Sequence, residues 1–382
     1  SASWVAIEQK ASGLVNSLRL RAAYGASGQQ PGPLDAIQYY TGTTNAVFGG
    51  NQPGVSLGNL INFNSGLGNR TLRPERSQEV ETGFDVGLLG GRVNLEATYY
   101  RKNTKDALVQ RLLAGSLGSA NARTDNVGRV RNEGFELSLF SRIVDASSFQ
   151  WDAQLEVSGN RNRLTELADG VPPLTGFGYQ QRVGYPLYGG WWPRIKNFGD
   201  ADGNGIITPN EVTTSDTAEF LGPTIPTRTV ALNNNITLFK GKLRIGGQVE
   251  YKGGFNSLEV STMFQCLFVQ NCQALTDPSS SLFDQARALS GVFGDYAEDA
   301  SFVRLKEANI AWTLPNKVAR AIGASTGSLT VTGRNLLLYL PNFNGWDSEI
   351  NTAAGVAGDG PNYNFVQPGQ PRYFTFRVNL SY

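Results

Sequence analysis

No histidine occurs anywhere in the 382 residues. That excludes Ser-His-Asp and Cys-His nucleophilic sites and His-ligated zinc within this chain. Catalysis by carboxylates alone survives the test, but the Asp and Glu residues are too scattered to nominate a general acid and base, so no catalytic residue is expected. Only two cysteines are present, Cys266 and Cys272 in "CLFVQNC". They are too few for a structural zinc site and suit a small disulfide-closed loop in an oxidising compartment, with two free thiols as the alternative.

Charge is sparse too. Charged residues make up 17%, and 33 Lys and Arg against 32 Asp and Glu leave a net charge of +1, which gives no electrostatic reason to expect nucleic acid as a partner. No apolar run reaches the roughly 18 residues of a spanning helix, so a membrane role requires a barrel. Ser1 opens the chain without a charged start and an apolar run, so a signal peptide is expected to be absent or already removed. No Gly-rich phosphate loop follows a strand and opens a helix.

Glycine and aromatics are plentiful, at 45 Gly, 20 Phe and 14 Tyr, and disorder is not expected from such a composition. The dominant pattern has a period of two, the signature of strands with one apolar and one polar face. In "SFQWDAQLEVSGN", Phe149, Trp151, Ala153, Leu155 and Val157 alternate with Gln150, Asp152, Gln154, Glu156 and Ser158. "RVNLEATYYR", "KLRIGGQVEY", "GFELSL", "TVALNNNITL" and the closing "YFTFRVNLSY" repeat the scheme. The outward face of a soluble sandwich is usually richer in Lys and Glu, whereas these polar faces carry Asn, Gln, Ser, Thr, Asp and scattered Arg, as in a hydrated lumen.

Tight turns with Gly90 and Gly91 in "LLGGRV", and with Lys240 and Gly241 in "LFKGKLR", join neighbouring strands. Long connections fall at about residues 42–70, 110–130, 165–225, 255–300 and 340–370. Short turns at one end and long loops at the other are the habit of outer-membrane barrels. Aromatics gather near strand ends, at Tyr99, Tyr100, Trp312, Tyr339, Tyr373 and Phe374, as interfacial girdles do. The fold class expected is all-β, an antiparallel transmembrane β-barrel with short periplasmic turns and long extracellular loops. Helix is expected only in "SLFDQARALSGVF" and "LPNKVARAIG".

One loop carries a specific chemical pattern. "DADGNGIITPNE" fits a twelve-position calcium loop: Asp200, Asp202, Asn204, Ile206 through its carbonyl, Thr208 and Glu211 as ligands, with Gly205 at the sharp turn. A hard cation needs six to eight oxygens, and alternate positions of a turning loop aim them at one centre. Flanking helices are missing, so the expectation is a structural Ca2+ that stiffens a long loop, not a sensor; an Asp/Asn/Gly turn cluster without an ion is the alternative. Tyr185, Tyr188, Trp191 and Trp192 precede it, able either to stack on a solute or to pack the loop against its neighbours. "YLPNFNGWDSEIN", with Trp346, Asp347 and Glu349, forms a second candidate loop.

Several stretches together resemble the C-terminal half of the SusC/RagA-like family of TonB-dependent outer-membrane transporters. They include "LRPERSQEVETGFDVGLLGGRVNLEATYYRKNTKDAL", "NVGRVRNEGFELSL", "WDAQLEVSGNRNRLTEL", "VGYPLYGGWW", "DADGNG", "SFVRLKEANIAWTLP", "GSLTVTGRNLLLY" and "YFTFRVNLSY", in the family's order from about residue 72 onward. The resemblance implies that Phe374, Phe376, Val378, Leu380 and Tyr382 form the terminal signal read by the barrel assembly machinery. It also implies energy-coupled import of oligosaccharides or peptides without covalent chemistry, a SusD-like surface lipoprotein as partner, and TonB engaged through an N-terminal region that this chain does not contain.

The sequence departs from the family in length. A plugged barrel has about 22 strands, whereas about twelve to fourteen strand candidates are found across residues 1–382 and no plug can be located. The chain is accordingly read as a fragment, as part of a split barrel completed by another chain, or as a shortened relative. A structural or assembly role in a larger complex is the rival function; a soluble calcium-dependent β-sandwich lectin is a third.

Overall fold

The computed structural model describes residues 2–8, 14–38, 40–47, 50–57, 68–112, 122–126, 128–167, 174–176, 178–187, 189–350, 363–364 and 368–382. Eleven strands build one antiparallel sheet. In chain order they are β1 (Ala2–Glu8), β2 (Val15–Gln29), β3 (Glu75–Leu88), β4 (Val93–Lys105), β5 (Gly128–Ala146), β6 (Phe149–Leu167), β7 (Arg228–Leu238), β8 (Leu243–Gly253), β9 (Phe302–Thr313), β10 (Thr326–Tyr339) and β11 (Tyr373–Ser381). Each wall strand pairs with the next, an up-and-down meander without crossovers. Among the described residues β1 and β11 do not meet, so the sheet is an open wall.

The register sorts side chains into two faces. Val86, Leu95, Leu139, Leu155, Leu232, Val249, Leu305 and Leu337 stand opposite one another in turn across β3 to β10. A second apolar row, Ile236, Ile245, Ile310, Val331 and Phe376, runs nearer the turns. Among the described residues no second sheet covers them: Val249 stays 37% exposed and Phe376 74%. The other face carries Glu96, Ser138, Glu156, Ala231, Glu250 and Arg304 in register. A sandwich would bury the aliphatic rows under a partner sheet; a lipid-facing wall leaves them bare. A bulge at Lys306, where Val249 and Gln248 face Leu305 and Glu307, keeps the alternation in step along β9.

The two ends of the wall differ as the sequence predicts. Leu89–Gly91 makes a tight turn between β3 and β4, where Gly90 and Gly91 take φ of 70° and 82°. Phe239–Lys242 does the same between β7 and β8, with Gly241 at φ 87°. The long connections at the opposite end hold short strands, helices and most of the buried apolar residues. Tyr40–Val47 pairs with Gly50–Leu57, and Leu108–Leu112 with Ala122–Asn126. The largest buried cluster contains Leu258, Val260, Met263, Tyr296 and the Cys266–Cys272 disulfide. Of the two expected helices, Leu282–Leu289, capped by Ser281, forms in these connections, and Asn316–Ala321 forms at the turn end, between β9 and β10. Two further short helices, Val260–Phe264 and Gln273–Thr276, flank the disulfide without a sequence signal long enough to announce them.

Candidate functional site

The acidic loop hangs from a two-stranded ribbon, Ile195–Phe198 paired with Val212–Thr214. Strands rather than helices therefore enter and leave it. Asp200 Oδ2 accepts from Gly205 N at 2.8 Å and Asp200 Oδ1 from Asn204 N at 3.0 Å. Gly203 and Gly205 supply the left-handed backbone of the turn, at φ of 73° and 79°. Glu211 closes the loop, accepting from Ala201 N at 2.7 Å and Thr208 N at 2.8 Å, and forms a capping box with Thr208 over the turn Pro209–Glu211. Gln285 in helix Leu282–Leu289 fastens the loop from outside, accepting from Ile207 N at 2.9 Å and donating to Gly205 O at 3.1 Å.

Asp200, Asp202 and Glu211 each bring a carboxylate oxygen within 4.8 Å of the other two. Oxygens on opposite sides of a Ca2+ with bonds of 2.3–2.6 Å stand roughly 4.6–5.2 Å apart, so the spacing fits that cation. The Gly205 amide holds the Asp200 carboxyl below its ordinary value, and the Thr208 and Ala201 amides do the same for Glu211. Both groups are therefore anionic at neutral pH. Asn204 donates to Asp202 Oδ2 at 2.8 Å and accepts from Ile206 N at 2.7 Å.

The aromatic candidates are divided by burial. Trp191 is 5% exposed, edge-on to Tyr185 at 4.9 Å and tilted against Phe220 at 5.3 Å, with the Arg182 guanidinium 4.9 Å over its ring. Trp192 packs on Phe293 at 5.0 Å. Both tryptophans brace the loops instead of offering an open face. Tyr188 lies outside the described residues. Trp346 is 73% exposed at the tip of its loop.

That loop is held by charges. Arg304 on β9, almost wholly buried, meets Asp347 at 2.6 Å and Glu349 at 3.0 Å; the latter pair is close but off the hydrogen-bond line. Lys252 on β8 pairs with Glu349 at 2.8 Å, and Lys306 with Glu250 at 2.5 Å. Asp347 also accepts from the backbone of Glu349 and Gln370. The acidic pair is visible in the sequence, but its partners are not. The available signal is that Arg304, Lys306 and Lys252 fall on the lumen face of their strands. At the far edge, Phe374, Phe376 and Val378 project from β11 and Tyr382 is 86% exposed.

An apolar exterior, a polar interior and loops gathered at one end describe a membrane barrel wall. Residues 2–336 match the family described as "TonB dependent receptor-like, beta-barrel". The chain belongs to that family. It is 26% identical over 382 aligned residues to TonB-dependent receptor P3 of Formosa agariphila, covering 90% of this chain and 37% of that protein. To TonB-dependent receptor SusC of Bacteroides thetaiotaomicron it is 28% identical over 102 residues, 27% of this chain and 10% of that one. The solved RagAB peptide transporter superposes with a TM-score of 0.75 at 21% identity, over 98% of this chain and 42% of that chain. This TonB-dependent receptor wall thus spans about two fifths of the length of such relatives. Membership places it in the outer membrane, among receptors and transporters and not enzymes. The sandwich expected of a lectin is not what these residues build.

Proposed function

We propose that this chain forms wall and extracellular loops of a TonB-energised importer of oligosaccharides or peptides. It would work with a SusD-like surface lipoprotein and carry a structural Ca2+ in the 200–211 loop. The observation that carries the reading is the polar inner face combined with the RagAB-like course of the wall. In this reading the inner Glu, Gln, Asn and Thr side chains line a hydrated path, and the aliphatic exterior anchors it in lipid. The exposed Trp346, presented by a loop clamped to the wall, is an aromatic able to touch a passing solute.

Asp200, Asp202, Asn204, the Ile206 carbonyl, Thr208 and Glu211 would hold the cation, whose charge would offset the mutual repulsion of three neighbouring carboxylates. The test of import removes the gene from its native cell and follows uptake of labelled oligosaccharides and peptides of defined length. Loss of one class and its return on complementation supports the reading. Unchanged uptake of both defeats it.

A further inference from the structure

We propose that the outer face of β4, β5 and β6, at the loop end, docks the phosphorylated headgroup of an outer-leaflet glycolipid. The register places a ladder of cations there, above a band of aromatics. Tyr99 and Phe135 face each other on the lipid side, 50% and 51% exposed. One step toward the loops, Val80, Arg101, Glu133 and Arg161 stand in a row. The next row is Gln78, Asn103, Arg131 and Arg163, and the one after it Arg76, Lys105 and Arg129, with Glu166 paired to Arg129 at 3.1 Å. Arg228 joins from β7, opposite Gly159. That puts eight cations against two anions on one outward patch of a chain whose net charge is +1.

Two further features of this face select an amphiphile over a simple anion. Beside Arg161 and Arg228 lies an outward cavity of about 520 Å3 whose walls are Phe135, Val157, Val230 and Tyr251, with Glu133 the one anion at its rim. It exists because Gly159 has no side chain; a Cβ there would stand 2.6 Å from the Phe135 ring. An apolar groove capped by guanidinium groups matches an amphiphile with an acyl chain below and phosphate above. The patch is also one-sided. At the turn end the same face of β4 to β6 carries Val93, Val144, Trp151 and Phe149, with no such ladder.

The cations spread from β3 to β7, roughly 19 Å at 4.8 Å per strand. A single phosphodiester would engage one end of that span, whereas a glycolipid bearing several phosphates can engage it along its length. β4, β5 and β6 are each paired on both sides, so the patch is separate from the sheet edges. Among the described residues Arg161 forms no ion pair, whereas the charge of Arg228 also acts on Asp299 in the loops above, so Arg161 is the more available of the two to an anion.

The test uses the native outer-membrane protein, extracted in mild detergent and stripped of lipid. It is titrated with diphosphoryl lipid A, dephosphorylated lipid A and phosphatidylglycerol, at low and high salt, by native mass spectrometry. Diphosphoryl lipid A should bind best, weaken with salt, and lose affinity on the order of a hundredfold in the variant R101Q/R161Q/R228Q. Fast migration of the unboiled variant in gels verifies that it has folded. The arms with unaltered protein stand even where the variant does not fold. Equal binding of phosphorylated and dephosphorylated lipid A, equal binding of phosphatidylglycerol, or undiminished binding by the folded variant would overturn the proposal.

Discussion

Arg304 shows how a charge can lie almost wholly buried beside the lumen. Its guanidinium is enclosed between Asp347 and Glu349 and lies 5.5 Å over the Phe302 ring. Removing Asp347 leaves the buried guanidinium without its hydrogen-bonded carboxylate and with only the misaligned Glu349 beside it, at a cost of about 3–5 kcal/mol. Asp347→Ala should therefore destabilise the folded protein by that amount in urea titrations from lipid vesicles. Glu166→Ala, which breaks the exposed pair with Arg129, should cost under about 1 kcal/mol. Similar costs for the two would show that the clamp is not buried in solution. Trp191 and Trp346 make a second contrast. Trp191→Ala removes a buried ring and should cost about 3–5 kcal/mol, while Trp346→Ala should leave stability within about 0.5 kcal/mol and lower solute uptake.

Among the elements, the wall strands were the most legible in the sequence, because they are written in local spacing, as is the turn that gathers Asp200, Asp202 and Glu211. Alternation over ten residues fixes which face of β6 or β8 is apolar, and positions 1, 3 and 12 of the turn carry the three carboxylates that the structure gathers. The clamp of Arg304 on Asp347 was illegible: its members are 43 residues apart, and only the tertiary fold brings them together. Trp191 and Trp192 looked alike in sequence, and packing alone shows that both serve the loop interior.

The loop also carries a pH dependence. The carboxyls of Asp200 and Glu211 are held below their ordinary values by backbone amides, so the folded loop binds protons less readily than the unfolded chain. Their contribution is complete above the unfolded values and is lost as pH falls through the folded ones. Protection of the 200–211 amides against hydrogen exchange should be steady near neutral pH and fall below about pH 4. Added Ca2+ should raise that protection at neutral pH, and Asp200→Asn should abolish the rise. Protection that ignores both calcium and acid would remove the ion from the account.

Over the whole molecule the account rests on one assignment, that the aliphatic rows of the wall meet lipid while the alternate residues meet water. Leu232→Arg should then cost about 2–4 kcal/mol, the range for a cation at mid-bilayer, and Asn233→Arg on the opposite face far less. The most direct measurement places single cysteines for spin labels at Leu232, Val249 and Ile310, then at Asn233, Gln248 and Asn309, in the protein reconstituted in bilayers. The account predicts that dissolved oxygen relaxes the first three and a water-soluble nickel chelate the second three, alternating residue by residue. Labels at Val249 and Gln248 that respond alike, or in the reverse order, would contradict it.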